Sequence, residues 1–171
     1  MSAEENLYNK SLAISWMEIH QDAKKLGEKL LGVRKWDRIV AVTRGGLIPA
    51  GIVARVLKVR WIDTVCVMAY DDEDAVDEST VSGIGLEQHD SIEVIKGIDE
   101  VDENENILII DDLVDKGDTA KLVRKWFPNA HLAVLYAKPE GKPQADTYIR
   151  DIAQETWIYF PWELEPNNPK S

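Results

Sequence analysis

The chain has one cysteine, Cys66, set in an apolar run, which excludes a disulfide framework and any cysteine-built metal site. Cys66 reads as a buried structural thiol, and the expected compartment is the cytoplasm. No apolar stretch reaches the about 18 residues of a spanning helix, so no transmembrane segment is expected, while peripheral membrane association stays open. The first six residues, Met-Ser-Ala-Glu-Glu-Asn, lack the basic and apolar regions of a secretory signal. No Gly-x4-Gly-Lys-Ser/Thr is present, which removes P-loop kinases and ATPases. His20 has no second His or Cys at ligand spacing and reads as a surface or packing residue.

Basic residues are also scarce. Twenty Lys and Arg against 31 Asp and Glu leave a net charge of −11. The deficit is local: residues 71–105 hold 14 acids and one base, Lys96, while the rest of the chain has 19 bases and 17 acids. This distribution leaves no basic stripe for nucleic acid, but it leaves room for a local phosphate site. With 44% hydrophobic residues, the chain fits one α/β domain over 1–171 around a substantial core.

What is present centres on residues 107–120. Four apolar residues, Ile107 to Ile110, read as a buried strand that ends abruptly in Asp111 and Asp112. Asp115 follows, then Lys116-Gly117-Asp118-Thr119, then a helix with Ala120, Leu122, Val123 and Trp126 on one face. A helix start offers free N–H groups and a positive dipole end to a phosphate. Carboxylates at the strand end accept from hydroxyls or hold a hard cation such as Mg2+. Adjacent acids directly after an apolar run serve no packing purpose.

Upstream, Ser15-Trp-Met-Glu18 has the form of a capping box, and Ile19, Ala23, Leu26 and Leu30 mark one helical face ending near Gly32. Arg38 to Val42 reads as a strand, followed by Thr43-Arg44-Gly45-Gly46 and a helix near 49–58. The glycines permit close approach of backbone to a ligand, and Arg44 can fork to phosphate oxygens. Trp61 to Met68 reads as a second central strand, Ser91 to Lys96 as a half-exposed one, and 71–105 as a mobile acidic flap. His131 to Tyr136 is a further strand, Thr147 to Ile149 is extended, Glu155 to Trp162 closes the chain, and 166–171 is a loose tail. Strands alternating with helices predict a mostly parallel sheet with helices on both faces and ligands beyond the strands' carboxyl ends, where the loops 43–49 and 112–119 fall.

The 107–120 stretch resembles the phosphoribosyl pyrophosphate (PRPP) signature of type I phosphoribosyltransferases. Lys116 stands where that family has Thr or Ser, and Asp118 where it has Gly or a basic residue. Five collinear motifs narrow the likeness to the bacterial xanthine-guanine group: Thr-Arg-Gly-Gly-Leu-Ile-Pro (43–49), Asp-Thr-Val-Cys (63–66), Ile-Asp-Asp-Leu-Val-Asp (110–115), Ala-Lys-Pro-x-Gly-x-Pro (137–143) and Thr-Trp-Ile-x-x-Pro-Trp (156–162). The resemblance implies the type I fold with a flexible flap and a small C-terminal hood carrying the base-binding region at about 138–163. It also implies conversion of guanine, xanthine or hypoxanthine plus PRPP to the nucleoside 5′-monophosphate and pyrophosphate, with Mg2+, by a homodimer or homotetramer.

Carried over residue by residue, the resemblance puts Arg44 and Gly45 in a pyrophosphate loop with a non-proline cis peptide expected at Arg44–Gly45, and Lys96 against pyrophosphate from the flap. Asp111 and Asp112 would hold the ribose hydroxyls directly or through Mg2+, with Asp112 the metal ligand. Asp115 would take the purine N7 proton or stabilise the developing cation. Lys116, Gly117, Asp118 and Thr119 would cradle the 5′-phosphate, where Asp118 must point outward or be neutralised by Lys116. Lys138 would donate to the 6-oxo group, Trp157 would stack on the base, and the Ile158 carbonyl would read the 2-position. Exposed aromatics in 157–162 could serve a subunit interface. A PRPP-binding regulator, an inactive homologue and another PRPP-dependent transferase are the competing readings. The acid surplus disfavours a regulator that needs a nucleic-acid face.

Overall fold

A computed structural model of the chain describes residues 9–69, 92–96, 98 and 105–163. The expected flap, apart from one strand and its neighbours, and the expected tail lie outside the described residues.

Among the described residues, eight strands and three α-helices follow one another as β1 (Lys10–Ala13), α1 (Trp16–Leu31), β2 (Arg38–Thr43), α2 (Leu47–Leu57), β3 (Ile62–Ala69), β4 (Ile92–Lys96), β5 (Ile107–Val114), α3 (Asp118–Trp126), β6 (His131–Ala137), β7 (Thr147–Asp151) and β8 (Thr156–Tyr159). Six strands form one sheet in the order β4-β3-β2-β5-β6-β7, parallel except for the antiparallel β3–β4 pair. The mostly parallel sheet is as expected. Its inner strands are buried on both faces, which is why β2, β5 and β6 read as nearly continuous apolar runs.

Alternation sends Ile39, Ala41, Leu108, Ile110, Ala133 and Leu135 into a core covered by α1 and α2. It sends Val40, Val42, Ile109, Leu132 and Val134 to the opposite face, against Val123 and Ala120 of α3. Helices on both faces follow from the crossovers β2–α2–β3 and β5–α3–β6, which run to opposite sides of the sheet. The chain therefore reverses direction between the neighbouring strands β2 and β5. A crevice opens at that reversal, beyond the strands' carboxyl ends.

Helix α1 starts on the expected capping box: Ser15 accepts from the Glu18 N–H, and the Glu18 carboxylate accepts from the Ser15 N–H at 2.9 Å. Such a cap contributes about 1 kcal/mol. Its apolar face is the expected one, with one addition. Asp22 is fully buried and accepts from the Tyr136 hydroxyl (3.0 Å) and the Arg150 guanidinium (2.6 Å). His20 is exposed, as expected.

Several boundaries differ from the sequence reading. Strand β5 does not stop at Ile110 but runs through both acids to Val114, because Asp111, Leu113 and Val114 still pair with β6. Helix α2 begins at Leu47, before Pro49, since proline is tolerated in a first turn whose N–H groups have no helical partner. The extended segment at 147 continues to Asp151 as the outermost strand of the sheet. Cys66 is half-buried rather than buried, because β3 lies next to the edge strand β4. Strand β1, unmarked by any apolar alternation, pairs in parallel with β8 to make a separate two-stranded sheet.

Candidate active site

The reversal between β2 and β5 brings the two expected loops into contact. A Cβ placed on Gly45 would lie 2.2 Å from Asp112 Oδ2, and one on Gly46 would lie 2.2 Å from the Ile110 carbonyl oxygen. Both glycines are therefore required by close approach, Gly45 to a carboxylate and Gly46 to backbone. The Gly46 N–H donates to the Val42 carbonyl (2.7 Å), closing the turn that starts α2. The cis peptide bond is Thr43–Arg44, one bond earlier than expected. The resemblance had placed it at Arg44–Gly45, where the glycines instead leave space. Arg44 is exposed at the mouth of this turn.

Asp111 and Asp112 lie side by side near the end of β5, each partly exposed. The Asp112 N–H donates to Asp111 Oδ1 at 2.9 Å. Burial raises the Asp111 carboxyl well above the ordinary range, and the Asp112 charge raises it further. Burial also pushes Asp112 up to about 7, with the Glu163 carboxylate adding to the rise against the opposing Leu113 N–H. Crowded oxygen donors of this kind fit a hard divalent cation. Among the described residues no group of three or more His, Cys, Asp or Glu would hold a metal alone. The donor set therefore suits an ion such as Mg2+ that takes its remaining ligands from substrate oxygens.

One residue past β5, Asp115 meets Lys138, one residue past β6. Lys138 Nζ donates to Asp115 Oδ2 at 2.6 Å, and only 1% of the lysine remains exposed. An unpaired ammonium at that depth would cost several kcal/mol, and the Asp115 carboxylate offsets that cost. Lys138 is therefore not a solvated side chain. The second oxygen of Asp115 accepts from Gln154 Nε2 at 2.6 Å. No sequence motif pointed to Gln154. The backbones of the two loops also touch: Gly141 has Asp115 O and Val114 so close that a Cβ would overlap both.

Helix α3 starts from Gly117, whose φ of 89° is a left-handed conformation that suits glycine. No side chain caps this N-terminus, so its first N–H groups face outward from the loop. Asp118 is over half exposed and pairs with Lys121 one turn on at 3.1 Å. Its carboxylate is thus directed to a lysine of its own helix, the first of the two arrangements expected for it. Lys116 is exposed and Thr119 half-buried.

The closing strand β8 separates its side chains by alternation. Ile158 enters the main core, and Phe160 just beyond it stacks on Tyr136 and Trp162 with centroids 5.9 and 4.8 Å apart. Trp157 and Tyr159, half-buried, meet edge to face at 6.5 Å. Of the aromatics in 157–162, Phe160 is buried, while Trp157, Tyr159 and Trp162 are half-buried, the last beside Trp16 at 6.0 Å. The carbonyls of Glu155 and Tyr159 accept from Lys10 and Ile14 of the β1 segment. The two-residue period of a strand turns the Ile158 carbonyl to the opposite edge. Lys96 ends β4 opposite Cys66. The structure brings together Gly45, Asp111 and Asp112, and separately Asp115, Lys138 and Gln154. Ile158 belongs to the main core, and Trp157 packs against Tyr159. A surface groove lined by Asp22, Lys25, Glu28, Lys29, Ile149 and Arg150 involves none of these residues.

Residues 15–168 match the family model described as "Phosphoribosyl transferase domain". The chain is 40% identical over 158 residues to the xanthine-guanine phosphoribosyltransferase of Desulfotalea psychrophila, covering 92% of this chain and 89% of that one. Among solved structures, a purine phosphoribosyltransferase from Pyrococcus horikoshii superposes with a TM-score of 0.74 at 25% identity, covering 95% and 99% of the two chains. A xanthine-guanine-hypoxanthine phosphoribosyltransferase from Helicobacter pylori superposes with a TM-score of 0.68 over 90% and 94%, and its 20% identity speaks for the fold alone.

Proposed function

The chain belongs to the phosphoribosyltransferase family, and on that premise we propose that it is a purine salvage enzyme converting a 6-oxopurine and PRPP to the nucleoside 5′-monophosphate and pyrophosphate. The observation that carries this reading is the Asp115–Lys138 pair at the ends of β5 and β6. A 6-oxopurine presents an acceptor oxygen next to the ring edge that must release a proton when N9 is ribosylated from the N7–H tautomer. A buried ammonium beside a carboxylate complements that edge: Lys138 donates to the oxygen and Asp115 accepts from N7. Adenine offers a donor amino group in the same place, which would face Lys138 donor to donor. The names of the 40% identical relative and of the Pyrococcus structure support the same substrate class.

In this reading the turn at Arg44 and Gly45, with Lys96 from β4, holds pyrophosphate. Asp111 and Asp112 hold the ribose hydroxyls. The N–H groups from Lys116 through Gly117 and Asp118 to Thr119 hold the 5′-phosphate at the start of α3. The outward Asp118–Lys121 pair favours that assignment, since it keeps the carboxylate from the anion. Trp157 stacks on the base and the Ile158 carbonyl reads its 2-position. Asp112, with Asp111 beside it, would hold Mg2+ together with PRPP oxygens. When bound, the ion supplies positive charge against the departing pyrophosphate, the electrostatic contribution that dominates such reactions. Asp115 holds the N7 proton as the C1′–O bond breaks through an oxocarbenium-like state, a relay worth about two to four decades of rate. We place the enzyme in the cytoplasm as a homodimer or homotetramer. Among the described residues no helix is long and apolar enough to cross a membrane.

The test is Mg2+-dependent pyrophosphate release from PRPP with guanine, xanthine, hypoxanthine and adenine offered separately. Turnover of the 6-oxopurines without adenine supports the assignment. No release with any base, while PRPP still binds by calorimetry, overturns it in favour of a PRPP-binding regulator.

A further inference from the structure

We propose that Gln154 is a positioning residue for the transfer, fixing the Asp115 carboxylate in the orientation that accepts the N7 proton. The inference rests on the purine transferase reading and adds a residue to its machinery. Asp115 is held at both oxygens, by Lys138 at Oδ2 and by Gln154 Nε2 at Oδ1, each at 2.6 Å. One contact would leave the carboxylate free to rotate about its Cβ–Cγ bond, whereas two contacts on different oxygens set its plane.

The Gln154 amide is itself oriented. Its Oε1 accepts from the Glu140 N–H at 3.0 Å, so the NH2 group is the end that faces Asp115. Glu140 lies two residues after Lys138, and Gln154 two residues before β8. One side chain thus links the catalytic carboxylate, the loop bearing Lys138 and the strand bearing Trp157.

The residue type follows from charge. The carboxylate must stay anionic to take a proton, and Lys138 already supplies one positive charge. A second cation at Oδ1 would bind the carboxylate in a second ion pair and compete with the N7 proton, and a carboxylate there would repel it. A neutral side chain with a donor for Asp115 and an acceptor for the Glu140 N–H meets both needs, and an amide supplies them. Asparagine, one methylene shorter, spans less distance.

The experiment compares Gln154→Glu and Gln154→Ala with the wild type, measuring kcat and KM for PRPP and guanine, melting temperature and PRPP affinity by calorimetry. Gln154→Glu keeps an oxygen for the Glu140 N–H but loses the donor to Asp115. It therefore separates positioning of Asp115 from tethering of the loop. Both variants are expected to lose on the order of 10- to 100-fold in kcat, with KM and Kd for PRPP within about twofold of wild type. Wild-type kcat in Gln154→Glu, with loss confined to Gln154→Ala, overturns the inference in favour of a structural tether. So does a loss in both that appears only as a raised KM for PRPP with a lowered melting temperature. If the wild type turns over no 6-oxopurine, the purine reading fails instead, so the two failures are distinguishable.

Discussion

Gly45 and Gly46 are adjacent and chemically identical, yet their replacement by alanine should have opposite consequences. At Gly46 the new Cβ would meet backbone on three sides: Ile110 O at 2.2 Å, Val42 O at 2.7 Å and Val42 N at 2.9 Å. These atoms belong to the central strands β2 and β5, which cannot yield without disturbing their ladder. Overpacking of that kind costs on the order of 2–3 kcal/mol, and at this chain length the melting temperature should fall by about 4–12 °C. At Gly45 the three atoms nearest the Cβ would all belong to the Asp112 side chain, with Oδ2 at 2.2 Å, Cγ at 2.4 Å and Oδ1 at 2.6 Å.

A carboxylate can rotate or lean away, and no positive φ makes alanine strained at 45. The fold should therefore tolerate Gly45→Ala within about 1 kcal/mol. Restoring ordinary contact nevertheless requires Asp112 to move by about 1 Å, and a misplacement of that size costs roughly 100-fold when the group positions substrate. Thermal melts and PRPP-dependent pyrophosphate release on the two variants make the comparison. Gly45→Ala with near-wild-type kcat/KM, or Gly46→Ala with an unchanged melting temperature, would refute the reasoning.

Replacing Lys138 with Met should lower kcat/KM for guanine at least 100-fold and weaken the preference for 6-oxopurines, read in the same assay with adenine as the competitor base. Asp118→Asn should change KM for PRPP by less than about threefold, because the carboxylate already pairs outward with Lys121; a tenfold gain in affinity would mean that it faces the phosphate. Asp22→Ala should destabilise the fold by about 1–3 kcal/mol in urea unfolding, since it leaves the Tyr136 hydroxyl without this acceptor while the partly exposed Arg150 keeps Glu18, and Tyr136→Phe should cost about 1 kcal/mol. Burial holds the His131 imidazole below its ordinary 6.5, so the unfolded chain takes up that proton first as the pH falls. Its contribution is complete above that value and lost on acidification, and His131→Gln should remove this share of the decline between pH 7.5 and 5.5. Asp112, raised to about 7, titrates with the opposite sign in both proteins, so the difference between them isolates the histidine.

The parallel sheet was legible because strands buried on both faces must be apolar almost without interruption, as 38–42, 107–110 and 131–136 are. The loops were legible because a glycine pair after one strand permits a close approach and two adjacent acids after another do not serve an apolar core. What escaped the sequence were features settled by distant partners. Strand β1 has no alternation of its own and is extended because β8 lies beside it. Asp111 and Asp112 looked like a strand's end, yet backbone pairing with β6 carries the strand three residues further. Asp22 carries no sign of burial in the sequence around it, since Tyr136 and Arg150, which make its burial favourable, lie 114 and 128 positions later. Gln154 carries no local signal at all, since its partners Asp115 and Glu140 belong to two other loops.

Where the groups sit also bears on how the proposed enzyme could vary its substrate. Asp115 and Lys138 stand on the ends of central strands whose loops interlock at Gly141, where even a methyl group would collide with backbone. Both are tied to the sheet, so the contacts proposed to N7 and the 6-oxo group would form a rigid reference edge. Trp157 and the Ile158 carbonyl stand on β8, which among the described residues pairs with β1 alone, and this sheet meets the main core through Leu12, Ile14, Ile158, Phe160 and Trp162. It is a separate sheet from the one whose strands carry Asp115 and Lys138. Preference among guanine, xanthine and hypoxanthine, which differ at the 2-position, is therefore expected to respond to changes in β1 and β8, while rejection of adenine remains with Lys138.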